Sequence, residues 1–351
     1  MELMAIYNTL SDILCALDYE ALFPGFRRYP FAIYTQEEVC LDGKLLPYDD
    51  CFRGNTSILY QGENTAIWNC EADPIADLEI LAYQMVHEMF HCHQLANKES
   101  VFPSDLALLN YPDDIVNFTS KYNENLYLAA CYEKEDVVYL KKFITLREQR
   151  LRRYPDMVRQ ELRAETIEGM AEFIGLKALR VIDARKFAEI LGEYTHLLRG
   201  ESDLLFDVRK ISYYTGALYF LCLERLGYSV NRDFASSLTA FEQNIIVDNA
   251  AAAEIRNFSF IAEQHAAYVS KKKEAIATFV AGARYKACAA EICGYDPMNM
   301  FRAGDMIFCS HFVSLKEESR TKTYMRPIVL EMDGNSERRV RGYYLEDRDH
   351  V

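Results

Sequence analysis

The segment from Pro74 to His93 contains no lysine or arginine, and its apolar residues spread around a helical projection instead of keeping to one stripe. A helix that is apolar on nearly every side has to be buried. Leu78, Leu81, Met85 and Met89 hold one side, while Ile80 and Tyr83 share the other with two histidines of the stretch "YQMVHEMFHCHQL". His87 and His91 stand one turn apart, about 40° around the axis, so both imidazoles can reach one ion, and Glu88 projects beside them. Buried imidazoles need partners. A metal ion is one; a pair of hydrogen-bonded core histidines is the other reading, and the five residues alone leave both open. His93 points about 160° away from His91 and reads as a packing residue.

A second segment, "QELRAETIEGMAEFIGLKAL", bears on that choice. On an uninterrupted helix Glu161, Glu165, Glu168 and Glu172 fall within about 60° of one another, with Arg159, Arg163, Lys177 and Arg180 on the far side. A solvated carboxylate row is ordinarily laced with lysine at i,i+4 spacing. This one is flanked instead by Ala164, Ala171 and Gly175, small residues that admit a close neighbour. Carboxylates packed inward call for a cation or strong donors. An ion held by two histidines would serve, and pairing with arginines is the alternative.

The rest of the chain supplies a setting. With 351 residues, half of them apolar, it can bury one large core or two modest ones. Ile6, Leu10, Ile13, Leu14 and Leu17 give an amphipathic opening helix rather than a signal peptide, and no apolar run is long enough for a membrane span. The ten cysteines are scattered without a C-x-x-C, which predicts free buried thiols and a cytoplasmic setting. Residues 1–139 carry 7 Lys+Arg against 23 Asp+Glu, net −16, whereas the remainder is net +2. A field of that sign repels nucleic acid and anionic membranes and attracts basic peptides; it also serves solubility alone. Oligomeric state is not legible.

Strands are predicted in "PFAIYT", "EVCLDGKLLP" and "TSILYQGENTAIWNC", with turns at Asp42-Gly43 and Gly62-Glu63-Asn64. Asp73-Pro74 reads as a helix start, and the helical pattern continues to about Asn97. Further helices are expected at about 114–132, 134–153, 156–181, 184–198, 205–227, 232–247 and 250–281. Strands then return in "DMIFCSHFVSL", "YMRPIVLEMD" and "RRVRGYYLE", with a hairpin turn at Asp333-Gly334-Asn335.

"HEMFH" followed by "IEGMAEF" resembles the gluzincin metallopeptidases, in which two histidines of one helix and a glutamate of a later helix complete a zinc site. The resemblance implies Zn2+ as cofactor, His87, His91 and Glu168 as its ligands, and Glu88 as general base. It places Glu172 where thermolysin-like enzymes have an acid that fixes a ligand histidine. "YYTGALYFLCLERLGYSVNRDF" is similar to a segment of the aminopeptidase N and leukotriene hydrolase family, which makes Tyr213 the oxyanion-stabilising tyrosine, with Tyr214 as the alternative register. His196 in "GEYTHLLRG" could reach the site as a transition-state histidine, or it could be a partner for the dipole at a helix end.

The chain departs from those aminopeptidases in two ways. The interval from His91 to Glu168 is much longer, so an extra helical hairpin at about 114–153 must fill it. No G-x-M-E-N-like sequence precedes the histidine helix, where "NTAIWNCEAD" is the nearest candidate for a substrate-binding edge strand. The expectation is therefore an α+β, zincin-like fold, mostly helical, with an N-terminal mixed β lobe. A catalytic domain over 1–295 would comprise the β lobe at about 25–72, the histidine helix at about 74–97 and a helical lobe at about 114–281; a small antiparallel β region would occupy 296–351. The function expected is zinc-dependent hydrolysis of a peptide or protein substrate. The alternative is an inactive binding or regulatory module that recruits a basic partner.

Overall fold

A computed structural model describes residues 2–111, 114–245, 251–318, 320–334 and 336–346. Helices α1 (Leu3–Cys15) and α2 (Tyr19–Leu22) lead into β1 (Phe31–Tyr34), β2 (Glu38–Leu41), β3 (Lys44–Pro47), β4 (Thr56–Tyr60) and β5 (Glu63–Asn69). These strands form a mixed sheet in the order β3-β2-β1-β5-β4, with β1 and β5 parallel and the other pairs antiparallel. Asp42-Gly43 makes a tight hairpin, both residues at positive φ. The next turn falls at Gln61-Gly62, also both at positive φ, so Glu63 and Asn64 belong to β5 rather than to the turn. The edge strands are β3 and β4; "NTAIWN" lies inside the sheet, which corrects its expected place at the edge.

Helix α3 (Leu78–Ala96) follows. Its start is Asp77, not Asp73: the Asp77 carboxylate accepts from the Glu79 and Ile80 amides, and Lys186 grips the same carboxylate. Short α4 (Asp105–Leu108) precedes the hairpin of α5 (Ile115–Lys134) and α6 (Val137–Arg153) that fills the long interval. Next come α7 (Pro155–Ala164), a π turn at Glu165–Gly169, and α8 (Met170–Ile182), where an unbroken helix was expected. Helices α9 (Ala184–Arg199) and α10 (Val208–Arg225) complete the centre. Of the helix expected over 232–247, only α11 (Ala240–Gln243) forms among the described residues, and 246–247 lie outside them. Helix α12 (Ser259–Ala281) starts later than expected, and residue 250 is outside the described set.

The chain ends in seven strands, β6 (Ala283–Tyr295), β7 (Met300–Ala303), β8 (Met306–Cys309), β9 (Val313–Glu317), β10 (Arg320–Tyr324), β11 (Ile328–Met332) and β12 (Arg339–Glu346). They form one antiparallel sheet in the order β10-β9-β6-β12-β11-β8-β7. The long β6 was not foreseen, because Ala, Cys and Lys dilute its alternation. The turn expected at 333–335 includes residue 335, which lies outside the described residues.

The architecture is that of a zincin-like α+β fold. Its main core joins α1 and one face of the mixed sheet to α3, α8 and α10, and Met85, Val86, Met89 and Phe90 of α3 have no exposed surface. Two glycine contacts set the spacing of the central helices. A Cβ on Gly175 would stand 2.9 Å from the Tyr83 carbonyl oxygen, and a Cβ on Gly216 would stand 2.7 Å from the Gly169 Cα, so α8 and α10 approach their neighbours backbone to backbone. All ten cysteines are free; five are buried, while Cys15, Cys51 and Cys293 are exposed. No described helix is long and apolar enough to cross a membrane.

Candidate metal centre

Burial of α3 puts His87 and His91 against α8, with the helix register carrying both imidazoles to one side. The two Nε2 atoms are 3.1 Å apart, and Glu168 Oε2 lies 3.2 Å from His91 Nε2 and 3.5 Å from His87 Nε2. Ligand atoms bound tetrahedrally at the lengths usual for zinc are separated by about 3.3 Å. The triangle fits such an ion, and among the described residues these are the three whose ligand atoms converge.

The surrounding hydrogen bonds fix which nitrogen carries the proton. Gln94 Nε2 donates to the carbonyls of Thr166 and Ile167, so its Oε1 is left to accept from His91 Nδ1 at 2.8 Å. Glu172 Oε2 accepts from His87 Nδ1 at 2.9 Å, while its Oε1 accepts from the Tyr194 hydroxyl. Both Nδ1 atoms are thereby donors, which leaves both Nε2 atoms towards the Glu168 carboxylate, each able to offer a lone pair to a metal ion or to take a second proton. Such a cluster requires positive charge, from a metal ion or from protons.

Burial alone would lower the His87 pKa, yet hydrogen bonds to Glu168 and Glu172 carry it up to about 10, and the charge of Glu168 together with its hydrogen bond raises His91 against the same burial. The carboxylates thus favour positive charge at the imidazoles, which a proton supplies when no metal ion does. Against its own burial, Glu168 is held well below the carboxylate range by Arg209 and the two histidines. Burial pushes Glu88 up. Glu88, His91, Glu168 and Tyr213 line a common cavity of about 360 Å³, which is also walled by the start of the edge strand β4 and by the β6–β7 and β8–β9 connections.

The two tyrosines take different places. The Tyr213 ring stacks on His87, centroids 5.7 Å apart and planes 8° apart, whereas Tyr214 packs edge-on against Tyr194; both line a smaller cavity with His87 and Glu88, and Tyr213 alone of the two also lines the larger one. Of the two readings of His196, its exposed place in the last turn of α9 suits a partner for the helix dipole, and it is not among the residues that line the cavity. Helix α9 reaches the site through Tyr194 instead, since two residues along a helix turn a side chain through about 200°. His93 packs among Phe23, Phe26, Phe90 and Phe234, and burial lowers it to about 4.

Arg209, Gln94 and Tyr194 were missed in the sequence. Arg209 Nη2 donates to Glu168 Oε1 at 2.7 Å, and its Nε lies 2.9 Å from Asp105 Oδ1, so one oxygen of Glu168 is occupied and the other faces the histidines. Arg209 precedes Tyr213 by one helical turn, a spacing that could have exposed it once Tyr213 was chosen. Gln94 follows His91 by three, the same one-turn logic. His311, unremarkable in sequence, joins the cavity wall with its Nδ1 2.6 Å from Asp296 Oδ2.

Comparison with protein-family models, with curated proteins and with solved structures finds no match. The residues themselves define a gluzincin-like H-E-x-x-H…E metal-binding arrangement, buried in a zincin-like fold.

Proposed function

We propose that the protein is a zinc-dependent peptidase, with His87, His91 and Glu168 as the metal ligands. The observation that carries this reading is the convergence of two Nε2 atoms and one carboxylate oxygen, the imidazoles oriented by Glu172 and Gln94, beside a cavity that Glu88 also lines. The chemistry that zinc supplies at three protein ligands is Lewis acidity towards a carbonyl and a lower pKa for water. Glu88 takes the proton of the attacking water and delivers it to the leaving amine; burial, which raises its pKa, suits it to both halves of that task. Tyr213 donates to the oxyanion as it forms. Arg209 holds Glu168 Oε1, so that Oε2 is the oxygen that would be left to the metal. An extended substrate has a template beside the cavity in β4, which among the described residues pairs with β5 alone and whose Thr56 and Ser57 stand in the cavity wall.

The test is Glu88→Gln. It is expected to retain about one zinc per chain while hydrolysis of a peptide library falls by about 10²–10⁴-fold. Undiminished hydrolysis in that variant removes Glu88 from the mechanism. Zinc binding with no hydrolysis by either protein would favour a binding module instead.

A further inference from the structure

A smaller cavity, of about 280 Å³, adjoins the larger one at Glu88, Tyr213 and Met298, which line both. Trp68 of β5, Tyr83 of α3, Tyr194 of α9 and the pair Tyr213 and Tyr214 of α10 wall it with aromatic rings, so four separate elements converge on one space. Tyr194 meets Tyr214 edge-on, centroids 4.6 Å apart. Trp68, Tyr83 and Tyr194 are buried, and Trp68 is the single tryptophan of the chain.

The charged lining leaves nothing over for a charged ligand. Glu172 is held by His87 and the Tyr194 hydroxyl, and the half-buried Lys210 stands 3.4 Å from Asp207. The peptidase reading, on which this assignment rests, commits His87 to the metal and Glu88 to the attacking water. A pocket with aromatic walls and no spare charge selects a neutral, flat, apolar group. A buried apolar cavity of about 150 Å³ admits benzene, so this one has room for a phenyl or phenol side chain. Because it meets the larger cavity at Glu88 and Tyr213, that side chain belongs to a residue next to the scissile bond.

We propose that this cavity takes the aromatic side chain of the substrate residue beside the bond that is cut, so that phenylalanine and tyrosine are preferred there. The acidic front of the chain acts on basic peptides at a distance and does not set the choice at this position.

The test reads the pocket separately from the reaction, because Trp68 reports occupancy by its own fluorescence. The full chain, with and without zinc, is titrated with the neutral fragments N-acetylphenylalaninamide and N-acetylalaninamide. The phenyl compound is expected to give a saturable change in emission and to bind at least about tenfold more tightly than the alanyl one. In parallel, zinc-loaded protein digests a peptide library, and cleavage beside phenylalanine or tyrosine should exceed cleavage beside alanine or lysine by about 10²-fold in kcat/KM. Gln84→Phe, at a half-buried position in the lining, should fill the space and abolish the response. Tyr214→Ala should enlarge it and shift the preference towards naphthylalanine, a gain that misfolding does not produce. No emission change, an equal change with both fragments, or one unaltered by both substitutions overturns the pocket, whether or not peptides are cut. Hydrolysis without aromatic preference overturns it as well and leaves the peptidase reading in place. A selective response with no hydrolysis of any peptide keeps the pocket as a site for an aromatic side chain and removes the peptidase reading.

Discussion

The carboxylate row on α7, the π turn and α8 has two halves that solve the same problem differently. Glu161 and Glu165, both buried, meet cations supplied by the chain itself. Arg150 donates to Glu161, as does Lys121, while Arg147 and the Thr215 hydroxyl hold Glu165. Glu124 accepts from both arginines, at 2.8 and 2.9 Å, so three cations face three carboxylates in this cluster. Glu168 and Glu172, equally buried, meet two imidazoles, and the carboxylates Glu88 and Asp105 stand nearby with Arg209 as the strong cation. One half is balanced and closed. The other has an excess of negative charge and an adjoining cavity, which distinguishes a place for a metal ion from a structural network.

Breaking the balanced half should have the largest effect on folding. Arg147→Met leaves Glu124 and Glu165 buried with one cation fewer, and urea unfolding should register a loss of about 3–5 kcal/mol. A loss below the error of the measurement would mean that the network is not electrostatically coupled. The open half should respond to metal instead. At free zinc a hundredfold above Kd, the wild-type protein is expected to gain about 2.7 kcal/mol, and Glu168→Ala little or nothing. Equal stabilisation of both by thermal unfolding would take Glu168 out of the ligand set.

The junction of the halves is the crossing of Gly169 and Gly216. Gly216→Ala forces the two backbones apart, so it should cost about 1–3 kcal/mol and weaken zinc binding in a titration, because Glu168 and Tyr213 flank the crossing on separate helices. Unchanged zinc affinity would show that the crossing spaces the helices without aligning the site. His196→Ala sharpens the comparison from outside: stability should stay within about 0.5 kcal/mol and metal content should not change. A drop in zinc by mass spectrometry would contradict its exposed position.

Much of this was legible in the chain. His87, His91 and Glu168 were named from spacing and resemblance, and the three ligand atoms do converge. The small residues beside the acid row anticipated the close approach at Gly175. What misled was the assumption of an unbroken helix. All four glutamates project to one face at 100° per residue, whereas a π turn acts as a one-residue insertion and rotates the residues beyond it by about 100°. Nothing in "ETIEG" announces such a turn. The edge strand was likewise misplaced, because hydrophobic alternation marks a strand without saying which neighbour it pairs with.

The sequence alone determined that α3 is buried, that its histidines share a side, and that carboxylates must come inward to meet something positive. Those consequences are local, since helical period and the cost of desolvation act within a segment. Only the tertiary structure decided which carboxylate met which cation. Lys121, Arg147 and Arg150 lie tens of residues from or on a different helix than the glutamates they hold, and Arg209 reaches Glu168 from a separate helix. Coulombic pairing depends on distance in space, which the spacing of residues along the chain does not report.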